Sequence, residues 1–161
     1  MGRSGSNVDA GINRIVYRKM RPLEDLQDSK HIEKFNRLTY ALEPIGGGHE
    51  WWGAFDGETL VGLASACLVE GGKTVLLSSC VVKGKWRSKG IQSQLISRRV
   101  TWAKSEGHTA VVSYVFIENL QSLRNLVRVG FLPSKEPNAT RRLIGEDWGT
   151  NRYLWVRKTL D

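Results

Sequence analysis

The segment Thr59–Val69 restricts the fold more than any other stretch of this chain. Read as a strand, its side chains alternate between two faces. Leu60, Gly62, Ala64, Ala66 and Leu68 fall on one face, and Val61, Leu63, Ser65, Cys67 and Val69 on the other. Both sets are apolar or small, whereas a strand with one wet face carries polar residues at every second position. This strand therefore belongs inside a sheet covered on both faces.

Its surroundings read as a meander. His49–Phe55 is the preceding strand, Asp56-Gly57 a hairpin turn, and Lys73–Val82 the strand that follows Gly71-Gly72. Upstream, Arg14–Lys19 reads as a first strand. Pro22 opens a helical region from Leu23 to about Leu42, whose irregular apolar spacing fits two helices, and Pro44 and Gly46-Gly47-Gly48 end it. Downstream, Lys89–Ser105 is a helix with Ile91, Leu95, Ile96, Val100 and Ala103 along one side. Thr109–Ile117 is a buried strand, and Asn119 caps a helix whose Leu120, Leu123, Leu126 and Val127 share a face. Gly130 stops that helix, Phe131-Leu132 starts a strand, and Asn151–Lys158 is the last one. Leu76 to Ile117 then forms one right-handed crossover unit.

At 161 residues the chain has room for one domain with a real core. Residues 1–12, rich in Gly, Ser and Asn, are expected to be a leader without fixed structure, and residues 13–161 a single domain. With 40% hydrophobic and 25% charged residues, the composition is that of a soluble globular protein. No apolar run is long enough to cross a bilayer and no secretory signal heads the sequence, so no membrane association and a cytoplasmic location are expected. Cys67 and Cys80 lie in apolar strands as free thiols, and His31, His49 and His108 lack ligand spacing, so no metal is expected. The net charge of +8 suggests an anionic partner: nucleic acid, a phosphorylated cofactor or an acidic substrate.

The charge is concentrated where it is least expected. Lys83, Lys85, Arg87 and Lys89 stand at the start of the helix that follows the strand ending at Val82. A helix N-terminus carries partial positive charge and unpaired N–H donors, so it favours anions and disfavours Lys and Arg. Such a site is suited to a phosphate. There is no GxxxxGK[ST], and Gly84 and Gly90 do not complete GxGxxG, which excludes the P-loop and the dinucleotide fingerprint.

A third pattern fits. Val82-x-Gly84-x-Trp86-Arg87-x-x-Gly90-Ile91, followed by the helix, resembles the acyl-CoA loop of the GNAT superfamily of N-acyltransferases. Asn119-x-x-Ser122 and then Gly130-Phe131 resemble that family's second signature, Asn-x-x-Ala…Gly-Phe. The resemblance spans about Arg14 to Lys158. It implies an α/β (α+β) fold: a mixed, mostly antiparallel central sheet with helices on both faces and a splayed central parallel strand pair.

It also implies roles. Backbone N–H groups of Arg87, Ser88, Lys89, Gly90, Ile91 and Gln92 would cradle the pyrophosphate of acetyl-CoA, the acyl donor. The main chain of Val81 and Val82 would pair with the pantetheine arm, an N–H near Val82 would polarise the thioester carbonyl, and Asn119, with Ser122 in its motif, would contact pantetheine. A primary amine would attack the thioester directly in a ternary complex, which makes the expected activity N-acetyl transfer. Homodimerisation is compatible with this picture.

This sequence departs from the family pattern at three positions. Gly84 replaces a proline, a loosening of the turn. Gln92 replaces a small residue and would either crowd the pyrophosphate or add a donor. Leu126 stands seven residues after Asn119, where the family often places a tyrosine that protonates the thiolate. The base is also open: Glu118 and Asn119 are the catalytic candidates, with Glu50, Glu70 and His49 near strand ends. Asn119 fits a simple helix cap equally well, and Trp51 and Trp52 fit either core or an acceptor pocket. Two other functions stay open: an acyl-CoA-binding module with little catalysis, which Leu126 would explain, and nucleic-acid binding, which lacks any recognisable motif.

Overall fold

The computed structural model describes residues 14–21, 48–135 and 153–161. Seven strands form one sheet in the order β1-β2-β3-β4-β5-β7-β6. They are β1 (Ile15–Met20), β2 (Glu50–Asp56), β3 (Thr59–Val69), β4 (Thr74–Val82), β5 (Ala110–Phe116), β6 (Leu132–Ser134) and β7 (Tyr153–Thr159). Among the described residues only β4 and β5 pair in parallel. The crossover between them carries helix α1 (Ile91–Ser105), and helix α2 (Leu120–Val129) follows β5. The sheet is thus the mixed, mostly antiparallel one expected, and the strands lie within two residues of their expected bounds. The expected leader and the helical region of residues 23–42 lie outside the described residues.

Both described helices cover one face of the sheet. Ile91, Leu95, Ile96 and Ala103 of α1 and Leu126 of α2 join Trp52, Ala64, Val75, Leu77, Val111 and Phe131 in one core. On the opposite face Met20, Trp51, Phe55, Leu60 and Leu63 form a second cluster, and Cys67, Val69, Leu76 and Val112 a third. Both faces of β3 are therefore buried, as its composition requires. Trp51 and Trp52 are 3% and 4% exposed and are core residues on opposite faces, not walls of an open pocket.

The alternation along β3 is not strict. The pairing with β2 slips between Ala54↔Gly62 and Phe55↔Leu60, so Val61 is an extra residue in a bulge. In consequence Leu60 packs with Leu63, and Val61 with Ala64. The expected assignment of Leu60 and Val61 to faces is thus reversed, because a bulge shifts the pleat by one residue.

Helix α2 also differs from the expected pattern. Leu126 is buried, but Leu120 and Val127 are 55% and 52% exposed. The side facing α1 carries Ser122 and Asn125, held by hydrogen bonds rather than by apolar contact. Gly130 ends the helix at φ 101°, donating to Leu126 and Val127 carbonyls, as a helix stop should.

Helix α1 lies close on β3 because Gly62 has no side chain. A Cβ there would stand 3.0 Å from Ile91 Cγ2, 3.3 Å from Ala54 Cβ and 3.4 Å from Leu95 Cδ1. Gly62→Val should therefore lift the first turn of α1 and lower stability by about 1–3 kcal/mol, the usual range for overpacking. Urea unfolding should show a lower midpoint at unchanged slope.

Candidate functional site

The parallel ladder between β4 and β5 runs from Thr74↔Ala110 to Leu77↔Ser113 and stops. Beyond it β4 stays on β3 through Cys80↔Ala64, Val81↔Leu63 and Val82↔Gly62. Strand β5 stays on β7 through Tyr114↔Trp155, Val115↔Leu154 and Phe116↔Tyr153. The two central strands therefore part, and a crevice opens between their C-terminal ends.

A second bulge sits at the parting point. Between Ala66↔Leu77 and Ala64↔Cys80, β4 contains one residue more than β3, and a bulge bends its strand and increases the twist. Ser65 Oγ accepts the Ser79 N–H at 3.1 Å and lies 2.7 Å from Ser78 Oγ. From α1, Arg99 donates Nε to the Leu95 carbonyl (3.1 Å) and Nη1 to the carbonyls of Ser65 (2.7 Å) and Ser79 (3.4 Å). Sequence reasoning missed Arg99. It stands within the apolar stripe of α1, between Ile96 and Ala103, and a cation in such a stripe is the signal that was available.

Past Val82 the chain makes a 3-10 turn, Gly84–Trp86, with Arg87 N–H on the Gly84 carbonyl at 3.2 Å. Ser88 and Gly90 have φ of 61° and 79°, in the left-handed region, and Gly90 precedes the first residue of α1. Such a run turns successive N–H groups to one side, forming a concavity for an anion. The first-turn N–H groups of α1 have no carbonyl one turn earlier to take them, and the first turn holds no acidic residue. Arg87 Nε donates to the Val82 carbonyl at 3.1 Å, and Lys85 Nζ lies 4.1 Å from the Trp86 ring centroid.

Between this loop and α2 lies a cleft of about 620 Å³. Val81, Val82, Arg87, Ser88, Gly90, Ile91 and Gln92 line one side, and Asn119 and Ser122 the other. These residues, singled out from the sequence, are thus brought together. Lys89 is exposed and does not line the cleft, and neither does Glu118. Trp86 and Ser93 also line it, as do Cys80, Gln121, Asn125 and Arg128, which were not anticipated. The i, i+4, i+7 spacing of Gln121, Asn125 and Arg128 marks one polar helical face, which the sequence does display.

Gln92 neither crowds the loop nor supplies it with a donor. Its Nε2 donates to Ser122 Oγ at 2.8 Å, and its Oε1 accepts from Asn125 Nδ2 at 2.7 Å. The side chain is a strut between α1 and α2. Asn119 caps α2, its Oδ1 accepting the Ser122 N–H at 3.2 Å. That leaves the Nδ2 amide as the group turned to other use.

A smaller space of about 160 Å³ occupies the crevice itself, with Ser78, Cys80, Arg99, Ser113, Leu126 and Tyr153 among its walls. Burial pushes the Cys80 thiol up from its ordinary range, and the Arg99 charge draws it partly back down. Burial pushes the Arg99 guanidinium down, opposed by Cys80. Of the other candidate bases, Glu50 is exposed and paired with Lys19 at 2.9 Å. Glu70 accepts from Thr74 Oγ1 at 2.6 Å and pairs with Arg157 at 3.4 Å, at the end of the sheet away from the crevice. His49 is nearest the crevice, its Nδ1 lying 3.4 Å from Ser78 Oγ.

Residues 18–131 match the family model of the acetyltransferase (GNAT) family. No curated protein matches the sequence. Among solved structures, the chain is similar to an acetyltransferase of the GNAT family from Streptococcus pneumoniae, with a TM-score of 0.68, 13% identity, and 91% of this chain and 99% of that one covered. It is also similar to a GNAT family acetyltransferase from Elizabethkingia anophelis with acetyl-CoA bound (TM-score 0.62, 14% identity, 92% and 99% covered). A Bacillus subtilis acetyltransferase in complex with CoA gives a TM-score of 0.58, 20% identity, and 92% and 97% covered.

The strut makes a direct prediction. Gln92→Leu leaves Asn125, which is 6% exposed, without its acceptor. Stability should fall by about 1–3 kcal/mol in urea unfolding, and the double variant Gln92→Leu/Asn125→Leu should recover much of the loss, since neither partner is then stranded.

Proposed function

The chain belongs to the GNAT acetyltransferase family, and we propose from this that it transfers an acetyl group from acetyl-CoA to a primary amine by direct attack in a ternary complex. The observation that carries the proposal is the continuity of the cleft. Its outer end is a cradle of N–H donors at Ser88–Ile91, and its inner wall is the strand end Val81–Val82, which no longer has β5 as a neighbour.

Each part of acetyl-CoA has a matching surface. The pyrophosphate would be held by the N–H groups of Ser88 to Gln92 and the α1 dipole, the Arg87 N–H being spent on the Gly84 carbonyl. Arg128 adds charge at the mouth. The pantetheine amides would pair with the main chain of Val81 and Val82, as an added strand would. Asn119 Nδ2 would donate to pantetheine while Oδ1 keeps its cap, and Ser122 flanks the arm. The thioester would then lie in the crevice beside Ser78 and Cys80, with a main-chain N–H near Val82 turned to its carbonyl oxygen. The amine would enter from the face of Trp51 and Ser78, its proton passing to water or to His49. Glu118, exposed and off both walls, has no part in this scheme.

A second reading rests on one residue. Leu126 lies in the crevice and cannot donate a proton. An acyl-CoA-binding module with weak catalysis would show cofactor binding without release of CoA across a broad amine panel.

Acetyl-CoA at a hundred times its dissociation constant should add about 2.7 kcal/mol of stability. For a chain of this size that raises the melting temperature by roughly 5–10 °C. A melt unchanged by millimolar acetyl-CoA would remove the donor assignment. Asn119→Asp separates cap from contact. It keeps the cap oxygen, so the melt should hold, while acetyl-CoA affinity falls with loss of the amide donor. Asn119→Ala should lose both, with about 0.5–2 kcal/mol of stability.

A further inference from the structure

Arg99 is 1% exposed, and among the described residues no carboxylate pairs with it. Its partners are carbonyls of Leu95, Ser65 and Ser79, which bind the guanidinium but do not neutralise it. A buried cation without a counter-ion is a costly arrangement, since the desolvation it suffers is returned only by a nearby negative charge. Arg99 is also among the walls of the crevice in which the thioester would lie, and its Nη1 sits at the Ser79 carbonyl where β4 has left β5. Cys80 lines the same wall; burial pushes its thiol up and the Arg99 charge opposes that.

We propose that Arg99 holds the negative charge of the departing CoA sulfur, so that the leaving group is released as a thiolate stabilised by a fixed cation. This rests on the acetyl-CoA reading. The neutral amine nitrogen attacks the carbonyl carbon and a C–N bond forms. The C–S bond then breaks with its electron pair moving to sulfur, and the nitrogen gives its proton to water. The products are the amide, CoA thiolate and one proton. No proton is needed at sulfur in the step, which is consistent with Leu126 on the wall.

The same geometry gives Arg99 a positioning role. By binding carbonyls on both β3 and β4 at the bulge, it fixes the point at which β4 leaves β5. A structural role alone would not affect the ionisation of a bound sulfur, and this difference makes the proposal testable without knowing the acceptor amine.

The probes are CoA and desulfo-CoA, in which hydrogen replaces the thiol, titrated calorimetrically into the full chain from about pH 6 to pH 9. If the thiol is lowered on binding, affinity for CoA relative to desulfo-CoA is least at low pH. It rises between the bound and free thiol values, by about tenfold for each unit of lowering. Other titratable or charged groups face the crevice and cleft: Cys80 from β4, Tyr114 from β5, Tyr153 from β7, Arg87 from the loop and Arg128 from α2, with His49 behind Ser78. All of them meet both ligands, so titrations not coupled to the sulfur cancel in the ratio, and the variants at Arg99 separate its effect from those that are coupled.

The wild-type ratio should rise with pH. In Arg99→Met it should be flat while desulfo-CoA still binds, and Arg99→Lys should keep part of the rise. A flat wild-type ratio overturns the proposal whether or not any variant folds, since the thiol is then not lowered on binding. An undiminished rise in Arg99→Met or Arg99→Lys overturns the assignment to Arg99. Binding of neither ligand by the wild type would instead overturn the acetyl-CoA reading beneath it.

Discussion

Between Ser78 and Val82 strand β4 keeps β3 as a neighbour and has lost β5, and every feature of the candidate site follows from that. A strand interior normally has both edges satisfied by its neighbours. Here a bulge on the β3 side adds a residue and twist to β4 just as its parallel ladder ends. Ser65 and Arg99 satisfy the groups the bulge displaces, Ser65 by taking the Ser79 N–H and Arg99 by binding the Ser79 carbonyl. The opening is thus held from one side, leaving the other side to a ligand.

The loop after β4 shows the same economy. It needs left-handed backbone at Ser88 and Gly90 to turn its N–H groups outward, and Gly90 adopts that conformation readily. Ser88 does not, and a non-glycine residue at positive φ is held there by its surroundings. The Arg87 bond to the Val82 carbonyl ties the start of this turn to the end of the strand. That bond ties the cleft's floor to the candidate anion loop.

Much of this was legible because the decisive signals are local. The strand at 59–69, the Asn119 cap and the Gly130 stop are each set by neighbours in sequence, and each stands where expected, while the helix expected from Lys89 begins at Ile91. What could not be read is set by contacts across the sheet. The bulge at Val61 reverses two side chains with no mark in the alternation, since both faces are apolar. Gln92 seemed an intruder in the loop because its partners, Ser122 and Asn125, are some thirty residues away in sequence. Arg99 was passed over because its partners on β3 and β4 are distant in the chain. The acceptor side is less legible still, since Glu70 was placed by the sequence at a strand end, and only the topology shows that this is the end away from the crevice.

Leu126 and Arg99 bear on one question. A phenol at position 126 would give the departing sulfur a proton, and its effect would vanish on ionisation. A guanidinium offers charge instead, which burial disfavours and a neighbouring thiolate favours. In the proposed reaction the sulfur therefore leaves as an anion and is protonated only on reaching water. This puts the demand on the site elsewhere. A buried cation favours any anion in the crevice, so product thiolate would bind more tightly than the neutral thioester. Chemistry would be eased and product release slowed by the same interaction. An apolar Leu126 is consistent with that balance, because it adds no second donor to hold the product.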